Sequence, residues 1–197
     1  MHHLILASTS PYRKQVFEQL GVPFEVRSPG VDESHFKSLP AQVQAITLAE
    51  EKARAISVPG ALVIGSDQVV DLDGEVLGKP GTEERAVEQL IRLSGRPHRL
   101  ITAVAVHRCD DGRIRSDVDV HTLWMRPLER DIALNYVRRD LPLDCAGSYK
   151  LERRGVALFD KIEADPQTAD DTAIIGLPLQ KLLALLRTFG VDILKFP

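Results

Sequence analysis

Cysteine is nearly absent. The two residues, Cys109 and Cys145, are too few for a disulfide framework or a cysteine zinc site. No histidine stands near Cys145 in the sequence to act as its base, so this residue reads as a small buried thiol. His35, His98, His107 and His121 show no paired spacing for a metal site or a catalytic triad. Positive charge is not in excess either, with 25 lysines and arginines against 28 acids and a net charge of −3. That excludes a general nucleic-acid coat, so no stable nucleic-acid binding is expected, and an anionic ligand needs a local cluster of cations. Long apolar runs are also missing. Leu4-Ile5-Leu6-Ala7 is far too short for a signal sequence or a membrane span, so a cytoplasmic protein without membrane attachment is expected.

What is present suits a globular chain, with 44% hydrophobic and 27% charged residues. A chain of this length buries roughly 70% of its unfolded surface and needs no disulfide or metal to fold. Leu4–Ala7 reads as a buried strand. Ser10-Pro11 then gives an N-cap with proline in the first helical position, and the helix ends at Gly21. Phe24–Val26 is a second strand, 28–38 a loop, and 40–57 a helix. Ala61–Ile64 is a buried strand ending in Gly65-Ser66-Asp67, and Asp71–Gly74 is a hairpin turn. Thr82 caps a helix closed by Leu93-Ser94-Gly95. Strands follow at 99–108 and 113–125, then a helix at 129–139. The stretch 141–176 reads as irregular, and 178–189 as a helix with Leu182, Leu183, Leu185 and Leu186 inward. Alternating strands and helices without a repeat predict an α/β or α+β sandwich, with sites at strand C-terminal ends and helix N-termini.

Several residues carry candidate chemistry. Ser8-Thr9-Ser10-Pro11-Tyr12-Arg13 brings hydroxyls, free N–H groups and a guanidinium to a strand–helix junction, which suits a phosphate; an ordinary N-cap with a surface arginine is the alternative. Gly74 to Lys79 is not a P-loop, because the glycines are one residue too close and Pro80 replaces the Ser/Thr. Lys79 is then either a phosphate contact or a solvated turn lysine. Asp67, at a buried strand's end, is costly unless paired or metal-bound; a turn-capping aspartate is the other reading. Asp32-Glu33 lies in a loop that can bring a second carboxylate beside it. Two oxygen ligands without His or Cys suit Mg²⁺ or Mn²⁺. Lys52 sits in a helix and, by pattern alone, reads as a salt-bridged surface residue.

The order of these pieces is more specific than any one of them. Leu6-Ala7-Ser8-Thr9-Ser10-Pro11-Tyr12-Arg13, Val31-Asp32-Glu33, Ala49-Glu50-Glu51-Lys52-Ala53, Gly65-Ser66-Asp67-Gln68-Val69 and Gly78-Lys79-Pro80 together resemble the Maf family of nucleoside triphosphate pyrophosphatases. The likeness continues through Cys145-Ala146-Gly147-Ser148-Tyr149-Lys150 and Gly176-Leu177-Pro178-Leu179. It implies a single domain over 1–197: an α/β fold with an elongated, mixed, twisted sheet flanked by helices and two lobes around a central cleft. It further implies hydrolysis between the α- and β-phosphates, a divalent cation (Mg²⁺ or Mn²⁺), and a homodimer. By motif, Ser8, Arg13, Lys52 and Lys79 would hold the triphosphate. Glu33 and Asp67 would bind the metal, with Asp67 also the proton acceptor for the attacking water. The charges agree, since a triphosphate carries about four negative charges that several cations must offset.

Tyr12, Gln68 and Glu152 stand where many members have Arg, Thr and a Gln-type residue. This combination resembles members acting on 7-methyl-GTP, forming 7-methyl-GMP and diphosphate and so removing a modified nucleotide from the pool. Methylation at N7 makes guanine cationic, which favours stacking on Tyr12. Glu152 can accept from N1–H and the exocyclic amine together, a two-point contact worth about 1–3 kcal/mol. The alternatives are a dTTP/UTP-directed pyrophosphatase and a non-enzymatic, nucleotide-binding regulator of cell division.

Overall fold

The structure is a computed structural model that describes residues 3–164, 166 and 169–196. Its strands pair in the order β2-β1-β3-β5-β6-β7, with β4 paired to β3. They are β1 (His3–Ala7), β2 (Glu25–Arg27), β3 (Ala61–Leu72), β4 (Glu75–Leu77), β5 (Pro97–Arg108), β6 (Ile114–Met125) and β7 (Phe159–Ala164). The helices are α1 (Pro11–Glu18), α2 (Ala41–Arg54), α3 (Glu83–Leu93), α4 (Arg130–Asp140) and α5 (Leu179–Thr188). The expected mixed sheet with flanking helices is what forms. Contacts divide the chain into two compact units, the first from residues 1–68, 102–119 and 170–197, the second from 69–101 and 120–169.

In the first unit β1 lies parallel to both β2 and β3, with Ala7 opposite Gly65. Parallel strands buried on both faces are apolar almost without interruption, which is why Leu4–Ala7 and Ala61–Ile64 show no polar alternation. Their side chains still alternate in direction. Leu4, Leu6, Leu62 and Ile64 join a core with Val16 and Phe17 of α1 and Leu182, Leu185 and Leu186 of α5. Ile5, Ala7, Ala61 and Val63 form a second cluster with Ile56, just beyond α2. Gly65 shows how close α2 comes. A Cβ there would stand 2.7 Å from the Ala53 backbone nitrogen and closer still to the Ala49 carbonyl oxygen. Only glycine permits that approach.

Two expectations change here. β3 does not stop at Asp67 but continues to Leu72, so Asp67 is a mid-strand residue and the turn-cap reading lapses. Val69, Val70 and Leu72 are buried β-formers, and Gly65-Ser66 does not interrupt their strand. The strand turns instead at Asp73-Gly74, both at positive φ, before pairing Leu72 with Glu75. Loop 28–38 also contains a short 3-10 turn at Glu33–Phe36, capped by Asp32, whose carboxylate accepts from Ser34 N.

In the second unit, the segment expected to be irregular contributes β7, antiparallel to β6 with Leu123 opposite Ile162. Phe-Asp-Lys-Ile-Glu-Ala is half charged because β7 ends the strand order and has one paired edge. Tyr149 and Phe159 pack edge to face at 5.0 Å, and the buried His98 ring nitrogen Nε2 meets the Tyr149 hydroxyl at 3.0 Å. Burial pushes His98 down to about 4, so it is neutral at physiological pH.

Candidate active site

Asp67 and Lys52 form the centre of the site. Asp67 points to the α2 side of β3, two residues beyond Gly65, and Lys52 lies on α2 between the two backbone positions that Gly65 touches. Close packing at Gly65 therefore sets the reach of the pair. Lys52 Nζ donates to Asp67 Oδ1 at 2.6 Å and also meets Glu33 Oε1 at 2.7 Å. Lys52 and Asp67 are 7% and 6% exposed, so Lys52 is not the surface lysine its helical pattern suggests. Glu33 is exposed and arrives from its 3-10 turn. A buried pair of this kind is not a net stabiliser by default, yet removing one partner strands the other at about 3–5 kcal/mol.

Burial raises the Asp67 carboxyl above the ordinary range, opposed by the charges of Lys52 and Arg13 and the Lys52 hydrogen bond, and assisted by Glu33. A carboxylate so placed is a stronger base than one in water, which suits proton abstraction. Arg13, on the first turn of α1, is lowered by burial, while Asp67 and Glu33 hold it up; it stays charged. Its Nε donates to Gly176 O at 2.8 Å. Ser10 caps α1 as expected, its hydroxyl accepting from Arg13 N. Ser8 is buried just past the end of β1, and its Oγ accepts from Ser10 N at 3.1 Å. Tyr12 is half-buried on the same turn. Ser8, Tyr12, Arg13, Glu33, Lys52 and Asp67 all belong to the first unit.

Gln68 follows Asp67 on β3. Alternation turns it to the face opposite Asp67. There its amide nitrogen donates to Thr102 Oγ1, Ala173 O and Ile174 O at 2.9, 2.9 and 3.2 Å. Through the last two of these bonds Gln68 braces the turn Asp171–Ile175. Lys79 and Glu152 belong to the second unit, where both are exposed. Cys145 is pushed up to about 12 by burial and by Asp144, so it is a protonated thiol at neutral pH, in keeping with the non-catalytic reading.

The sequence reading missed Ser66, Thr102, Asp170 and Gly176. Ser66 Oγ lies 2.8 Å from both Ala103 O and Gly176 O. Asp170 caps its own turn through Thr172 N and hydroxyl, and accepts from Gln180 N and Lys181 N at the start of α5. A usable signal existed: polar Ser66 and Thr102 interrupt apolar strands, and buried hydroxyls need partners.

The donor set fits a hard divalent cation. Glu33 and Asp67 offer oxygen alone, and Mg²⁺ commonly takes one or two carboxylates with water and substrate phosphate. Among the described residues, no group of three or more His, Cys, Asp or Glu could hold a metal, so no all-protein cage is formed. Nor is any helix among them long and apolar enough to cross a membrane.

A buried Asp–Lys pair thus stands in a mixed α/β sheet with an arginine and serines at a strand–helix junction, a set of groups whose chemistry suits an anion and a proton acceptor. The chain belongs to the Maf family, described as Maf-like protein, which matches residues 3–189. It is 45% identical over 195 residues to the 7-methyl-GTP pyrophosphatase of Xanthomonas campestris pv. campestris (strain 8004), covering 98% of this chain and 99% of that one. It is 43% identical to the 7-methyl-GTP pyrophosphatase of Pseudomonas aeruginosa, over 98% and 100% of the two chains. Among solved structures it resembles a HAM1 protein from Coxiella burnetii, with a TM-score of 0.51 at 15% identity over 95% of this chain and 100% of that one. That last likeness is one of fold.

Proposed function

We propose that this chain is a nucleoside triphosphate pyrophosphatase that hydrolyses 7-methyl-GTP to 7-methyl-GMP and diphosphate. One observation carries the chemistry: Asp67, buried and raised in pKa, is held by Lys52 in a site that also contains Arg13. The substrate rests on the full-length likeness to proteins named for that activity.

Asp67 accepts a proton from water as its oxygen attacks phosphorus. The anhydride bond breaks and its electron pair leaves with diphosphate. Lys52, Arg13 and Ser8 bind and orient the phosphates, a reaction class in which positioning and charge stabilisation do most of the work. A divalent cation bound at Glu33 and Asp67 would offset phosphate charge. Tyr12, on the same turn as Arg13, stacks on the cationic base. The resemblance also supports a homodimer, which sedimentation would test.

The test is a panel of triphosphates with Mg²⁺ or Mn²⁺, read as diphosphate release. 7-methyl-GTP should exceed GTP, dTTP, UTP and CTP by about tenfold, the scale of a cation–π contact. A preference for dTTP or UTP would sink the base assignment. Asp67→Asn should abolish turnover while nucleotide still binds; full activity in that variant would remove Asp67 from the mechanism.

A further inference from the structure

The Gly176 carbonyl is a junction. It accepts from Arg13 Nε and lies 2.8 Å from Ser66 Oγ, which is wholly buried. Arg13 also lies along the Gly176 backbone, since a Cβ there would meet Arg13 Nε at 3.5 Å and Cγ at 3.7 Å. Gly176 has φ of +113°, so its peptide holds an orientation that other residues rarely adopt. A guanidinium carries five N–H groups in a rigid plane, and fixing one edge through Nε aims the other. Wherever Gly176 O sits, the Nη edge of Arg13 follows.

Two groups hold that carbonyl in place. The turn before it is tied to β3 and β5 by Gln68 and Thr102, both bonded to Ala173 O. Ser66 is the other. Its hydroxyl stands 2.8 Å from Ala103 O on β5 and from Gly176 O, so the two carbonyls share its single proton. An alanine fills nearly the same space but leaves Arg13 as the side-chain partner of Gly176 O, so the carbonyl and the guanidinium it orients are held less firmly.

We infer that Ser66 is a positioning residue for the phosphate-binding arginine, acting through the Gly176 carbonyl that it shares with Arg13. This rests on the reading that Arg13 contacts the phosphates, and the test separates the two. The full chain, with Mg²⁺ present, is titrated with inorganic diphosphate by calorimetry in a double-mutant cycle of Ser66→Ala and Arg13→Gln. Steady-state kinetics on 7-methyl-GTP run alongside.

Ser66→Ala should weaken diphosphate binding by about two- to twelvefold, the net worth of one hydrogen bond. KM should rise comparably with kcat little changed. In the Arg13→Gln background the same substitution should cost less than about twofold, because the residue it acts through is gone. Ser66→Thr, which keeps the hydroxyl donor, should restore part of the diphosphate affinity that Ser66→Ala loses. A purely structural role would lower thermal stability equally in both backgrounds and leave the diphosphate penalty equal too. Equal penalties, or no penalty from Ser66→Ala, overturn the proposal. If Arg13→Gln leaves diphosphate affinity intact, the phosphate reading of Arg13 falls and the role of Ser66 falls with it.

Discussion

Replacing Gly65 with alanine tests whether the approach of α2 to β3 sets the Asp67–Lys52 pair. The added methyl would lie 2.7 Å from Ala53 N and nearer still to Ala49 O, both backbone atoms on α2, so no side chain can rotate out of the way. The helix must withdraw by roughly 1 Å, and overpacking of this kind costs about 1–3 kcal/mol. Alanine also restricts the unfolded chain, which returns about 0.4–1 kcal/mol. The clash prevails. With about 1–2 kcal/mol remaining at mid-range and each kcal/mol lowering Tm by about 2–4 °C for a chain of this size, a fall of about 2–8 °C is expected. Lys52 sits between the two displaced positions, and its 2.6 Å bond to Asp67 has little slack. Turnover should fall by about tenfold to a hundredfold, the usual cost of misplacing a catalytic group by an ångström. Thermal melts and diphosphate release measure the two effects. Gly78→Ala is the stability control, since a Cβ there meets nothing within 4 Å. A Gly65→Ala protein with unchanged Tm and unchanged kcat would refute the reasoning.

Other perturbations follow from the same geometry. Lys52→Met removes the charge that most opposes the burial of Asp67, so the Asp67 carboxyl should rise further. Turnover is lost as pH falls through that value, and the acid limb of kcat/KM should move up by about 1–3 pH units; a limb that stays in place contradicts the assignment. His98 is neutral and buried, its folded pKa of about 4 lying below the unfolded value. Its contribution is complete above the unfolded value and is lost as pH falls from about 6.5 towards 4, up to about 3 kcal/mol. His98→Gln should flatten that part of the Tm–pH curve, and an unchanged slope would count against it. Asp170→Ala removes the acceptor of Gln180 N and Lys181 N and should cost about 1–3 kcal/mol by denaturant unfolding, with no loss at all as the refuting result.

The elements most legible in the sequence were those whose local chemistry and burial agree. Ser10-Pro11 starts a helix because its hydroxyl and fixed φ act locally, and Thr82 does the same for α3. Asp67 stands out in the sequence because a carboxylate among buried strand residues is costly. Its place in mid-strand was hidden, because Gly65-Ser66 resembles an ending when the helix pressed against it is unseen. β7 has no strand signature in the sequence because an edge strand tolerates charges at half its positions. The partners of Gln68 lie more than 30 residues away in sequence, and no spacing rule reports a turn that folds back from residue 173. Lys52 looked like a surface residue, since the helix periodicity that marks a buried face cannot say what waits there.

Alternation along β3 divides its central four residues by consequence. Gly65 and Asp67 face the helix that carries Lys52, whereas Ser66 and Gln68 face the turn that braces Arg13. Substitution at the even positions alters the brace while the Asp67–Lys52 pair keeps its spacing. At the odd positions there is no such latitude. Deleting one residue from Ala61–Ile64 would exchange the two sets at a stroke, turning the acid toward the brace and the amide toward the ammonium. Loss of length in this strand is therefore a more complete lesion than most substitutions within it.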